Sequence, residues 1–479
     1  MEYKYVVLTN TTIGAFMAVL DSNIVLIALP TIIAGLPGTS TFDGIWIIMG
    51  YMLITATLLL TFGRLSDVFG RVRLYTLGFA IFTVGSTLCS ISPNGTSLVL
   101  FRLVQGTGGA LIFSNGAAIL TDVFPPTERG RALGINQVAG TVGSVGGLVA
   151  GGVLTGTLGW RSIFWINIPV GLFATAWAYT KLREVSVPSR GEKLDPAGNA
   201  LFAVGLSLFL LGLTLGALSG WSGPLVGAMV VGLLMLAGFV FAESRVKFPM
   251  IDLSLFRIRQ FSAGILSNLL SSIARGALSL VLVFYFQGIL AVDALTAGLM
   301  LVPLSLAFVS FGPVSGYLSD RLGSRWFATG GILISTAALV SFSVFPFGAP
   351  YSELVIPMVL AGIGAGMFVA PNIASIMNAT PPARRGVASG TSSMLVNTGF
   401  LLSLGIAFAI MAASVPIQTL QAIFAGQNVS IGQVGIEKFI GSMRAVFTLM
   451  AAVSLFAAVP ASMSGQRGGG KTYTSAQVE

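Results

Sequence analysis

GRLSDVFGRVR, Gly63 to Arg73, returns as GYLSDRLGSRW, Gly316 to Trp326, with Gly, Leu, Ser, Asp and Gly at the same spacing 253 residues later. A second pair stands at almost the same interval: PPTERGRALG from Pro125 and PPARRGVASG from Pro381 lie 256 residues apart. These copies share both prolines, an arginine at 129 and 385 and a glycine at 130 and 386. Two matches at nearly equal offsets, both in charged segments between apolar runs, indicate an internal duplication.

What separates the copies is apolar. The 479 residues are 54% hydrophobic and only 9% charged, whereas soluble domains carry about a quarter charged residues. A bilayer core of about 30 Å needs roughly 20 apolar residues per helical crossing. Fourteen such stretches follow one another, near 5–34, 43–63, 74–92, 97–122, 132–156, 162–180, 198–217, 224–242, 261–288, 296–318, 327–347, 353–378, 387–413 and 443–463. The first is too long for a secretory signal, carries Asp21 and Pro30, and reads as a retained helix. With both termini in the cytoplasm, twenty of the 25 Lys and Arg fall on the cytoplasmic side, as orientation in membranes requires. The net charge of +9 is thus topological and gives no reason to expect a nucleic-acid partner.

Both copies of the duplicated loops run in the same sense, so the halves are parallel repeats. Six helices take about 180 residues of the offset; the surplus is a two-helix hairpin. The expected fold is an all-α integral membrane protein with fourteen transmembrane helices. Residues 1–180 form the first six-helix bundle, 181–260 the inserted hairpin with its cytoplasmic linkers, 261–463 the second bundle and 464–479 a flexible cytoplasmic tail. The hairpin, 198–242, holds no deep charge and is expected at the periphery, against lipid.

Function narrows through titratable groups. There is no histidine, and Cys89 is the one cysteine, so zinc sites of Cys and His and histidine proton relays are excluded. A working proton site has to be a carboxylate. Asp21 is the deepest, and a charge at mid-membrane costs about 2.5–3.5 kcal/mol, so it needs a cavity or a partner. Its other reading is a permanently paired structural aspartate. Arg102 is the second deep charge, followed by Gln105 and by Gly106, Gly108 and Gly109, which permit close helix approach. It either tunes the proton on Asp21 or only pairs with it or with backbone carbonyls. Arg275 lies midway along the ninth stretch with Asn268, Tyr285 and Gln287 on the same helix, and either contacts substrate or is structurally paired. With Asn23, Gln105, Asn115 and Asn372, these four complete the cavity candidates. No acid lies deep in the second half, which points to neutral, amphipathic, zwitterionic or anionic cargo over dications. Asp67 ends the second helix, where the macrodipole disfavours it, and the loop offers Arg71 and Arg73 as partners. Gly63 and Gly70 suit close packing and a tight turn.

Two nucleotide-like patterns fail on context. GQRGGGKT, Gly465 to Thr472, lacks the following helix of a phosphate loop, and GIGAG, Gly362 to Gly366, lies within an apolar helix, so no nucleotide is expected.

The duplicated loops, LDSNIVLIALP from Leu20, RLVQGTGGA from Arg102 and WRSIFWINIPVG from Trp160 resemble the major facilitator superfamily, specifically its fourteen-helix drug:proton antiporters. The resemblance spans nearly the whole chain. It implies proton-coupled export of lipophilic or amphipathic small molecules across the cell membrane by alternating access, with protons as coupling ion and no cofactor. A lipid or lysolipid flippase and a dedicated metabolite exporter are the alternatives; a receptor or scaffold would have little use for Asp21. It assigns Asp21 and Arg102 to coupling, and makes the Asp67 loop a latch against a helix start in the other half, closed in the outward-facing state. The family's fifth-helix antiport motif matches Gly143, Gly147, Gly151 and Gly152, but Leu148 stands where the family has proline.

Overall fold

The computed structural model describes residues 2–125, 128–185, 195–246, 249–346, 350–381, 384–426 and 432–464, without the side chains of Gly130 and Asp320. Residues 465–479 of the expected tail, and with them GQRGGGKT, lie outside the described residues. Helices α1 (Tyr3–Gly35), α2 (Thr41–Phe69), α3 (Arg71–Ser90), α4 (Gly95–Val123), α5 (Arg129–Leu158) and the pair α6 (Ser162–Trp165) and α7 (Asn167–Lys181) form the first bundle. The hairpin is α8 (Pro196–Ser219) and α9 (Gly223–Glu243). In the second bundle the first crossing is broken into α10 (Arg259–Arg275), α11 (Leu278–Phe284) and a π turn at Tyr285–Ile289. Then come α12 (Ala294–Leu322), α13 (Ser324–Ser343), α14 (Tyr351–Ala379), α15 (Arg385–Ser414), the short α16 (Ile417–Phe424) and α17 (Gln433–Ser464). Fourteen helical spans among the described residues are long and apolar enough to cross a membrane. The last begins ten residues before the sequence boundary, and α16, only eight residues long, was too short to count as a crossing.

Local chemistry fixes the ends. Ser40 and Asp43 cap α2 reciprocally, as Asn94 and Ser97 cap α4, and each supplies donors or acceptors that a helix start leaves unpaired. Asp293 accepts from Leu295 N at 2.9 Å and Thr296 N at 3.0 Å to start α12. The duplicated loops fold alike: Gly70 (φ 105°) and Gly323 (φ 95°) each end one helix and start the next, in a left-handed conformation that favours glycine. Both donate to a serine carbonyl four residues back, Ser66 and Ser319, at 2.9 Å.

The halves meet most tightly at the end opposite the termini. A Cβ on Gly152 of α5 would lie 2.5 Å from Leu295 Cα of α12, and one on Gly298 would lie 2.5 Å from Leu148 O. Gln287 Nε2 donates to Ile27 O at 2.9 Å at the same end. There α16 covers the junction, with Leu420, Ile423 and Phe424 buried and Phe424 stacked on Phe284 at 3.9 Å. A second seam, α2 against α15, runs lengthwise from Gly405 beside Met49 to Gly390 beside Leu60. Helix α8 lies on this seam, with Leu210 and Leu213 facing Gly405. Two of its polar residues face inward: Thr214 Oγ1 accepts from Trp46 Nε1 at 3.2 Å, and Asn199 Nδ2 donates to Thr57 O at 2.7 Å and Thr61 Oγ1 at 2.6 Å. Helix α9 instead exposes Val230, Leu233, Leu234 and Phe241.

Candidate transport site

Asp21 and Arg102 are both buried, at 0% and 1% side-chain exposure, and form an ion pair of 2.6 Å between Oδ2 and Nη1. Two helices bring them together because α4 approaches its neighbours through small residues: a Cβ on Gly106 would lie 2.8 Å from Tyr51 O, and one on Gly108 2.4 Å from Phe82 N. Oδ1 of Asp21 accepts from Gln105 Nε2 at 2.9 Å and from Asn167 Nδ2 at 2.7 Å. Arg102 also donates to Gln105 Oε1 at 2.7 Å and to Ile47 O at 3.1 Å, and stacks over the Tyr51 ring at 4.2 Å. Asn167 reaches on to Ser86 Oγ at 3.2 Å, which donates to Phe164 O at 3.0 Å. Such a pair is tolerated in a low-dielectric interior only because its remaining donors and acceptors are also used.

Sequence reasoning found Asp21, Arg102 and Gln105 but passed over Asn167, although it stands inside the quoted WINIP segment. A lone amide among apolar residues at the start of α7 was the available signal. The glycines of α5 act beside this network. Added Cβ atoms on Gly143 and Gly147 would lie 2.7 Å from Phe16 O and Leu20 O, and one on Gly151 2.3 Å from Ile27 Cγ2, so these three seat α5 on the stretch of α1 that carries Asp21. Gly152 faces the other half, as described, and Leu148 is buried.

The remaining candidates scatter. Asn23 bonds Val19 O on its own helix at 2.9 Å. Asn372 clips α14 to α10 through Gly264 O at 3.0 Å and Ser267 Oγ at 3.2 Å, and Asn268 clips α10 to α15 through Ser392 Oγ at 3.0 Å. Gln287 joins the halves. Three candidates keep unused polar atoms in buried positions: Asn115 Oδ1, Arg275 Nε and Tyr285 Oη.

At the cytoplasmic end of α2, Arg71 pairs with Asp67 at 2.7 Å and with Asp122 of α4 at 2.7 Å. Glu184 accepts from Arg71 N at 2.9 Å and Val72 N at 3.0 Å, placing a carboxylate at the start of α3, where the helix dipole favours it. Arg73 is exposed. Arg64 donates to Pro249 O in the linker behind the hairpin. Gly70 makes the expected turn, whereas a Cβ on Gly63 would meet no atom of the described residues within 4 Å, so among them the close packing expected there is absent in this conformation. The Asp67–Arg71–Asp122 cluster stays within the first half, while the halves are closed together at the opposite, extracellular end.

Two parallel six-helix repeats around buried polar groups at mid-membrane define a transporter of the two-repeat kind. The Major Facilitator Superfamily profile matches residues 11–246 and 264–467, and the chain belongs to that superfamily, as a multi-pass protein of the cell membrane. A riboflavin transporter of Clostridioides difficile is 33% identical over 85% of this chain and 88% of its own length. A tetracenomycin C resistance and export protein of Streptomyces glaucescens is 30% identical over 85% and 76%. Multidrug resistance protein 3 of Bacillus subtilis is 27% identical over 93% and 86%. Among solved structures, a D-xylose–proton symporter superposes with a TM-score of 0.63 at 14% identity, covering 95% of this chain and 97% of that one. A bacterial homologue of the lysosomal transporter Spinster gives 0.66 at 18%, covering 97% of each. At these identities the structural likeness speaks for the fold.

Proposed function

We propose that the protein is a proton-coupled antiporter that exports lipophilic or amphipathic small molecules by alternating access. The observation that carries this reading is the buried Asp21–Arg102 pair with Gln105 and Asn167, the deepest titratable carboxylate in a chain without histidine. In the described conformation Oδ1 of Asp21 accepts two hydrogen bonds and Oδ2 accepts one from Arg102, so the charged form is held by three donors and a proton has to compete with them, most of all with Arg102. Helix α1 is held by α5, and α5 meets α12 of the other half, so rocking of the halves and rearrangement around Asp21 share one helix pair. A change in the Asp21 charge then biases which side opens, because each state binds the proton differently. The relatives named for multidrug resistance and for export of tetracenomycin C support the export direction. A dedicated metabolite exporter is the second reading; the riboflavin transporter at 33% identity supports a single dedicated metabolite and does not bear on direction. The test is pH-gradient-driven uptake of riboflavin, of ethidium and of a fluorescent fatty acid into inverted vesicles with Asp21→Asn beside the wild type. Loss of accumulation at least tenfold with retained exchange is expected for whichever compound the wild type carries; undiminished uptake by the Asn protein would rule out coupling at Asp21.

A further inference from the structure

Asp21 and Arg275 stand 254 residues apart, within the 253–256 interval of the duplicated loops, so Arg275 occupies in the second repeat the position that Asp21 holds in the first. Both sit near the middle of a repeat's first crossing, Tyr3–Gly35 and Arg259–Ile289. The partner position is altered as well. Gly106 and Gly108 correspond to Gly362 and Gly364 at an offset of 256, which sets Arg102 against Met358, flanked by Val355, Ile356 and Pro357. The first repeat therefore contains a closed ion pair, while the second holds a cation and an apolar residue where its counter-charge would be.

The geometry around Arg275 agrees with this arithmetic. Its Nε is buried without a partner, and its terminal nitrogens bond no residue among those described, although the residue keeps some accessible surface. The guanidinium lies 5.3 Å from the Phe400 ring centre of α15, which steadies it without neutralising it. The chain is also built to hold the arginine here: α10 ends at Arg275, and Ser403 Oγ takes up the freed Ala277 N at 2.9 Å. Of the acidic residues in the described part of the second half, Asp293, Glu353 and Glu437 stand at or near helix starts on the far side of the membrane from the termini, and Asp320 stands in the last turn of α12 at the cytoplasmic end, so none shares the mid-membrane position of Arg275 in the sequence. An unpaired cation facing lipid at this depth is costly, whereas intramembrane arginines usually face the bundle interior or a water-filled cavity and find a partner there. Helix α15, whose Phe400 lies against the guanidinium, also packs along α2 of the first half, so Arg275 stands one helix away from the seam between the halves.

We propose that Arg275 is the anion-recognition point of the transport site and that the cargo is an amphiphile bearing a carboxylate or phosphate. This deepens the export reading by naming the cargo class, and rests on it only for the word cargo. A planar fork with five donors suits both anions, whether carried by a small organic acid or by a lipid headgroup.

The experiment uses the full chain in phosphatidylcholine nanodiscs, with dansyl-undecanoate and its methyl ester as a pair differing in one charge. Binding is read as dansyl fluorescence above that of empty nanodiscs. The wild type should bind the acid at least tenfold tighter than the ester, and Arg275→Gln should bring the two together. Arg275→Lys keeps the charge but not the fork and should retain a few-fold preference. Equal binding of acid and ester by the wild type would overturn the proposal, and this result does not depend on any variant folding. A full preference in Arg275→Gln would overturn it as well, since the anion would be read elsewhere. Adding phosphatidylglycerol to the nanodiscs separates the two sources: displacement of the acid identifies a lipid headgroup as occupant, and undisturbed binding identifies a water-borne acid. No proton gradient enters the measurement, so its failure is distinct from a failure of coupling at Asp21.

Discussion

Gly152 of α5 and Leu295 of α12 touch backbone to backbone across the two halves, with 2.5 Å separating Leu295 Cα from the place a Cβ on Gly152 would take. No side chain fits there without moving a helix, because the obstructing atoms are main chain. Gly152→Leu should therefore force the extracellular ends apart. Spin labels at Thr157 and Glu353, exposed residues of the two halves, should report longer distances in a Cys89→Ser background. An unchanged distribution would mean that the contact does not hold the closed state.

The Asp21–Arg102 pair makes a prediction about stability that is separate from transport. Removing one partner of a buried pair leaves the other uncompensated and costs about 3–5 kcal/mol. Arg102→Met should lower the thermal unfolding midpoint strongly, and Asp21→Asn in the same chain should restore much of it, since the double variant buries no net charge. Additive losses in a double-mutant cycle would contradict direct pairing.

The Asp67 cluster predicts a shift in population. Asp67 and Asp122 share Arg71 within the first half while the extracellular ends are closed. If the loop also latches the cytoplasmic ends when the protein opens outward, Asp67→Ala removes that latch together with the part-exposed Asp67–Arg71 pair, whose Arg71 keeps Asp122, and should populate the inward-facing state more. Labels on the cytoplasmic loops at Arg73 and Arg325 should then show a larger fraction of long distances. Equal fractions in variant and wild type would leave the loop as a topological signal.

What the sequence made legible follows from which forces are local. The crossings, their orientation and the duplication depend on runs of apolar residues, on charge in short loops and on fixed spacings such as Gly63 to Gly316, all present in one dimension. Asp21 and Arg102 were legible because burying a charge is costly wherever it happens. Asn167 was not, because an amide is inexpensive enough at a helix start to occur without a role, and only its 2.7 Å contact with Asp21 sets it apart. The break after Arg275 and the docking of α16 were likewise hidden, since both depend on tertiary partners, Ser403 and Phe284. Asn268 and Asn372 looked like cavity residues by composition, yet their amides serve helix–helix contacts.

The hairpin supplies the last prediction, because its two helices differ in what they face. Helix α9 exposes leucine, valine and phenylalanine along most of its length, as a lipid-facing helix does. Helix α8 instead lies on the α2–α15 seam, and turns Asn199 and Thr214 onto Thr57, Thr61 and Trp46 of α2. Amide and hydroxyl bonds between membrane helices contribute about 0.6 kcal/mol on average, so no single one holds the hairpin in place. Together they fix α8 to the first half while Leu210 and Leu213 rest on Gly405 of the second. Movement of α15 along α2 must then slide beneath α8 on the apolar side, with the polar bonds as its fixed edge. Asn199→Leu combined with Thr214→Val should lower the unfolding midpoint by a few degrees and loosen the seam, whereas Leu234→Ser on α9 should impair insertion and leave the seam intact. The check is crosslinking of paired cysteines at Asn199 and Thr61 in a Cys89→Ser chain during turnover. A crosslink that forms readily and leaves transport unchanged is expected if α8 moves with the first half. Transport abolished by that crosslink would mean that α8 parts from α2 in the cycle, and its fixed edge would have to be sought on α15.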